Sequence, residues 1–290
     1  MRFVPLLCLA VLGAGLISGC SRSAHSRSDE QPMAGTEHAH AEATAGSMMV
    51  GFEVTGRLEA GVPLVLRLTP TTPAGVVLQP LDLVHAKPWH LIAVRNDLGW
   101  FAHVHPQPVG GGSYQADLTF PTGGDYTIYN DLKPTGGAAG VVPLHLAIVG
   151  SAAAPVASDA GTTERHVGPL TITLAPPNAH IGATLLSISV ARDGVPVTNL
   201  QPYLGALGHL VVIDQSVTTY IHSHPLTEGA MSGGPTVAFH TEFPAAGLYR
   251  AWFQVQYEGQ VLTADFPINV AAAKNTSPAM NSGRYRHQHP

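Results

Sequence analysis

The sequence predicts an all-β protein built from two tandem antiparallel β-sandwich domains that arose by internal duplication. Three observations carry this. Short β-rich runs alternate with turn-forming residues, and Gly and Pro number 31 and 24. Charged residues make up only 11% of the chain, well below the quarter of an average soluble protein, so helices laced with Glu, Lys and Arg pairs are not expected. Four motifs recur in the same order in both halves.

From the start, Met1-Arg2 precedes an apolar stretch that ends in Ile17-Ser18-Gly19-Cys20. About 15 apolar residues are too few for a membrane-spanning helix and suit a signal-peptide core. The small residues before Cys20 match a bacterial lipobox, so residues 1–19 are expected to be cleaved and Cys20 to carry a diacylglycerol lipid. The other cysteine, Cys8, lies inside the removed segment, which leaves no free thiol and no disulfide. Thiol nucleophiles and Cys-ligated copper centres are thereby excluded.

Residues 20–48 are rich in Ser, Ala, Gly, His and Glu and are expected to be a flexible tether that contains His38 and His40. The first sandwich then spans 49–150, with strands expected over 63–68, 89–95, 100–105, 126–130 and 144–149. A polar, Ala-rich linker covers 151–166. The second sandwich spans 167–271, with strands over 170–174, 185–190, 209–214, 219–224, 248–256 and 260–269, and residues 272–290 are expected to be a disordered tail. Strands at this density with Gly and Pro turns indicate sandwiches of Ig-like or cupredoxin-like type. The aromatics Trp89, Trp100, Tyr126, Tyr249 and Trp252 are expected in the core.

The repeated motifs are Leu78-Gln-Pro80 with Leu200-Gln-Pro202, His90-Leu91 with His209-Leu210, His103-Val-His105-Pro106 with His222-Ser-His224-Pro225, and Phe120-Pro-x-Gly-Gly-x-Tyr126 with Phe243-Pro-x-Ala-Gly-x-Tyr249. Each histidine pair is offset by 119 residues and the Phe-Pro pair by 123, as one duplication with a four-residue insertion would leave them.

Spacing gives the histidines a geometry. An antiparallel hairpin centred between Asn96 and Asp97 places His90 opposite His103, and His105 shares their face because strand side chains alternate. His209, His222 and His224 repeat the arrangement. Pro106 and Pro225 hold the histidine before each in extended backbone. Three neutral imidazoles with an open position suit Cu(II) or Zn(II), so one three-His metal site per domain is expected. His85, His145, His180 and His240 have no counterpart in the other copy and are expected to be structural or exposed, and His287 and His289 belong to the tail.

The segments around Val84 to Leu98, Phe101 to Pro106, Pro202 to Val211 and Tyr220 to Pro225 resemble a widespread group of poorly characterised bacterial secreted β-sandwich proteins. The likeness covers roughly residues 50 to 270 and implies export, the sandwich fold, and handling of copper or other heavy metals.

Net charge of −5 leaves no basic footprint for nucleic acid. The expected partners are a membrane, through the lipid, and a metal ion, with localisation in the cell envelope. Three function classes follow. The favoured one is a lipid-anchored buffer or carrier for copper or zinc. The others are a structural or adhesive envelope module whose histidines respond to pH, and a His-ligated metal enzyme. No acidic residue recurs beside both triads, Asp97 and Asp214 near the turns being the nearest, so no enzymatic activity is expected. Changing Cys20 to Ala is expected to move the protein from the membrane to the soluble fraction; membrane-bound, normally processed Cys20→Ala protein contradicts the anchor.

Overall fold

Period-two burial builds the strands of both copies. In β3 (Pro63–Thr71) Leu64, Leu66 and Leu68 are buried while their neighbours are part-buried or exposed. A computed structural model describes residues 38–41, 48–154, 156, 159–223, 225–227 and 229–272. Cys20, His224 and the tail histidines lie outside the described residues, as does the signal segment.

The first copy contains β1 (His38–Ala41), β2 (Met49–Thr55), β3, β4 (Trp89–Arg95), β5 (Phe101–Val104), β6 (Gln107–Gly110), β7 (Ser113–Thr119), β8 (Gly124–Leu132) and β9 (Gly140–Ile148). One sheet runs β1-β2-β3-β7-β6 and the other β5-β4-β8-β9, with antiparallel pairings throughout. The second copy contains β10 (Glu164–Val167), β11 (Leu170–Ala175), β12 (Asn178–His180), β13 (Gly182–Arg192), β14 (Val195–Pro196), β15 (His209–Asp214), β16 (Tyr220–Ser223), β17 (Thr236–Phe243), β18 (Gly247–Tyr257) and β19 (Gln260–Ala271). Here β11, β13 and β17 make one sheet with short edges, and β12-β19-β18-β15-β16 the other. The chain is therefore all-β among its described residues, two sandwiches in tandem that are antiparallel except where β12 runs parallel to β19, and no described helix is long and apolar enough to cross a membrane.

Each copy closes on its own core. Leu64, Leu66, Leu91, Phe120, Ile128 and Leu144 meet in the first, and Ile172, Ile188, Leu210, Phe239, Phe253 and Phe266 in the second. The repeated Phe-Pro motif does a definite job. Tyr126 donates its hydroxyl to the Thr122 carbonyl at 2.9 Å and Tyr249 donates to the Ala245 carbonyl at 3.0 Å. This ties the start of β8 and of β18 to the preceding corner, as tyrosine corners do in Ig-type sandwiches.

The strands β4 and β15 are buried on both faces. Trp89, Leu91 and Ala93 point into the first core, whereas Ile92 and Val94 point the other way. They meet Val211 and Ile213 of β15 together with Tyr129 and Trp252, forming a third apolar cluster between the copies. Two ring stacks flank it: Phe101 on Trp252 at 5.0 Å and Tyr129 on Tyr220 at 4.9 Å between centroids. By the offsets of the repeat these stacks are equivalent. The copies thus pack through the same face about a pseudo-two-fold axis, as an isologous dimer would.

The linker is held rather than loose where it is described. Asp159 accepts from Arg250 at 2.9 Å and pairs with Arg165, and Gly123 donates its amide to the Ser151 carbonyl at 2.8 Å. β1 falls within the stretch expected as tether, where it pairs with the open edge of β2; an unpaired edge recruits backbone whatever its side chains. Strands β7 and β17 were not expected either, because their apolar residues are few and partly small. Truncating Trp252 to Ala is expected to cost about 3–5 kcal/mol and to split a single thermal transition into two. Unchanged calorimetric cooperativity in Trp252→Ala would show that the copies melt together for another reason.

Candidate functional site: a histidine cluster between the copies

The hairpin register differs from the expected one. Ile92, not His90, lies opposite His103, and Val211, not His209, lies opposite His222. The cause is the turn. Leu98 takes the left-handed conformation at φ 60° and donates its amide to the Arg95 carbonyl at 2.7 Å, while Arg95 donates to Trp100 at 3.1 Å, so the loop is centred one residue later. Val217 does the same in the second copy at φ 58°. A slip of two residues preserves the facing side, so His90, His103 and His105 still converge.

Their donor nitrogens lie within 4.8 Å of one another. His90 comes from β4, His103 from β5, and His105 from just beyond it. The other copy's His209 and His222 enter the same cluster: ring centroids are 5.4 Å apart for His90 and His222 and 6.3 Å for His103 and His209. In place of two separate centres, five of the six expected residues gather at one seam between the sandwiches, and His224 is not described.

Four of these rings, His90, His103, His209 and His222, are anchored on one nitrogen by an oxygen. His90 donates from Nε2 to the Val84 carbonyl at 2.8 Å, and His209 from Nε2 to the Tyr203 carbonyl at 2.8 Å. These carbonyls belong to equivalent two-residue turns, Val84 to Lys87 and Tyr203 to Ala206. His103 donates from Nδ1 to Gln254 Oε1 at 2.6 Å, and His222 from Nδ1 to Asp131 Oδ2 at 3.0 Å. Both of these bonds cross between copies, and Asp131 and Gln254 are equivalent positions, beside His90 and His209 on the paired strands.

Anchoring one nitrogen fixes the tautomer and leaves the lone pair on the other. His90 Nδ1 and His103 Nε2, both lone-pair nitrogens on this assignment, face each other at 3.0 Å. His105 Nε2 and His209 Nδ1 are buried with no hydrogen-bond partner among the described residues. Metal-to-nitrogen bonds of about 2.0–2.1 Å at a tetrahedral angle separate two ligand nitrogens by about 3.3 Å, so this donor set fits a transition-metal ion.

Burial sets the electrostatics. It pushes His105 down to about 4 and His209 down to about 3, and it holds His103 well below the ordinary value, with adjacent imidazoles adding to each shift. Burial alone would raise the Asp131 carboxyl, but hydrogen bonds from His222 and Tyr220, with the nearby imidazole charge, bring it below its usual range. Imidazoles that burial keeps neutral, here His103, His105 and His209, suit a cation site.

Three participants were not found by sequence reasoning. His85, expected to be structural or exposed, has its ring 5.2 Å from His209 and 5.0 Å from His222; lacking a counterpart, it was invisible to a repeat-based search. Asp131 and Gln254 differ chemically at equivalent positions, so no shared motif marked them. Asp97 and Asp214 stay in their turns, Asp97 accepting from Arg95 at 2.7 Å and Asp214 from the Thr218 amide at 2.8 Å. The remaining unmatched histidines among the described residues, His145, His166, His180 and His240, are exposed.

Fold and seam together define a duplicated β-sandwich protein whose two halves share one histidine cluster. The chain belongs to the family described as a domain of unknown function, DUF8832, which matches residues 43–149 and again 165–272. No curated protein matches it. Among solved structures it is similar to the fibronectin(III)-like modules of Clostridium thermocellum CbhA, at 13% identity over 82% of this chain and 100% of that one, with a TM-score of 0.23. It is also similar to the Yersinia pseudotuberculosis adhesin InvE, at 13% identity over 75% of this chain and 59% of that one, with a TM-score of 0.24. Likeness this slight implies nothing about function.

Lowered histidine pKa values have a stability consequence. The folded rings stay neutral while the unfolded chain takes up protons near pH 6.5, so stability present above that pH is lost as pH falls below it. Between pH 6.5 and 5, His209 alone is expected to account for about 2 kcal/mol. Thermal melts of metal-free protein at pH 7, 6 and 5 check this, and a flat melting temperature contradicts it.

Proposed function

We propose that this protein is an extracytoplasmic, lipid-anchored β-sandwich module that binds Cu(II) or Zn(II) in the cluster between its halves, as a buffer or carrier. The observation that carries the reading is the 3.0 Å approach of His90 Nδ1 to His103 Nε2, two nitrogens whose partner nitrogens already donate to oxygens. Two lone pairs at that distance repel unless a proton or a cation lies between them. His105 completes the trigonal set. Lipidation at Cys20 and a place in the cell envelope are part of the proposal and rest on the sequence motif alone. The sequence repeats no acidic residue beside both triads, so a carrier is preferred to an enzyme.

One observation favours a second reading, a structural or adhesive envelope module without metal. If the Gln254 amide is turned over, its nitrogen donates to His103 Nδ1 and its oxygen accepts from Thr263, which stands at 3.1 Å. His103 then donates from Nε2 to His90, and all these groups are satisfied with protons alone. In that case the cluster is a polar seam that registers the two copies.

Metal content separates the two. The full chain with His25, His38, His40, His287 and His289 changed to Ala, purified without chelator or affinity tag and dialysed at pH 7.5, is expected to retain at least one Cu(II) or Zn(II) per chain. Protein that stays metal-free on titration yet melts like the unaltered chain supports the structural reading.

A further inference from the structure

The duplicated halves differ at the tip of one turn. Both turns are two-residue loops with left-handed central residues: His85 at φ 46° and Ala86 at φ 60° in the first copy, Leu204 at φ 54° and Gly205 at φ 81° in the second. Left-handed backbone is unfavourable at a residue with a Cβ, and both copies accept it, at His85 and at Leu204. The result in the first copy is an imidazole carried to the partner half. His85 is nearer to His209 and His222, at 5.2 and 5.0 Å between ring centroids, than to His90 of its own copy, at 5.8 Å.

The two second-copy rings are already oriented. His209 is 1% exposed, its Nε2 is committed to the Tyr203 carbonyl, and its Nδ1 is buried without a hydrogen-bond partner among the described residues. His222 donates from Nδ1 to Asp131, and its Nε2 is buried. We infer that His85, His209 and His222 form a second transition-metal site, closed across the interface by a residue that only the first copy supplies. The inference rests on the metal reading above and extends it to a ligand set that the repeat does not contain.

Asp131 is the positioning residue of this site. A carboxylate behind a ligating imidazole fixes its tautomer and raises its basicity. Gln254 holds His103 with the same geometry and no charge. The second site therefore has a carboxylate hydrogen-bonded to one of its imidazoles, which suits the charge of a divalent cation. His222 and His90 lie 5.4 Å apart, so cations in both sites repel one another, and the second site is best read with the first removed.

The test uses the full chain with the five histidines named above changed to Ala, Zn(II) alone as the probe, and competition against a chromophoric chelator. His103→Ala with His105→Ala is expected to leave one Zn(II) bound. Adding His85→Leu is expected to weaken that binding at least tenfold, with circular dichroism unchanged, since Leu204 occupies the equivalent backbone position. Equal Zn(II) affinity with and without His85→Leu overturns the inference. So does complete loss of Zn(II) in a folded His103→Ala, His105→Ala protein whose parent binds it; the metal reading then stands by itself. A parent that binds no Zn(II) overturns both. Should the double variant fail to fold, His85→Leu alone decides: loss of one Zn(II) binding phase supports the second site, and an unchanged titration overturns it.

Discussion

Burying imidazoles together is costly unless their ring nitrogens find fixed partners, and the packing of one sandwich face against its duplicate supplies those of His103 and His222. An isolated copy holds His90, through the Val84 carbonyl, but it cannot hold His103 or His222, whose Nδ1 atoms are gripped by Gln254 and Asp131 of the opposite half. The apolar cluster of Ile92, Val94, Val211, Ile213 and Trp252 positions these grips. Burial of that patch is worth several kcal/mol at about 25 cal/mol per Å², and it offsets the cost of taking polar rings out of water. Fold and site are therefore one problem, since the contact that desolvates the histidines also tethers them.

Much of this was legible in the sequence. Alternating short strands and four ordered anchors led to tandem sandwiches, and the common offset of 119 residues picked out histidines that do share a face. The register slipped because the left-handed conformations of Leu98 and Val217 are not encoded by Gly or Asn, the usual markers of such a turn. The slip was harmless only because it was even.

The docking of the copies was legible in principle and was missed. Trp89-His-Leu-Ile-Ala-Val-Arg95 is buried from end to end, and a strand with no polar face must be covered on both sides. A search for like residues at like positions could not find His85, Asp131 or Gln254, which matter because the copies differ there. Symmetry revealed the framework and concealed the chemistry laid over it.

The pinned linker has a consequence for how such a seam behaves in dilute surroundings. Were the two sandwiches separate chains, their contact would depend on the square of concentration and would dissolve on dilution. Joined through residues 151–166, with Asp159 clamped to Arg165 and Arg250 of the second half, each sees the other at a constant local concentration, on the order of millimolar for a short connection. The cluster's assembly is then a property of a single molecule, indifferent to the protein's overall concentration.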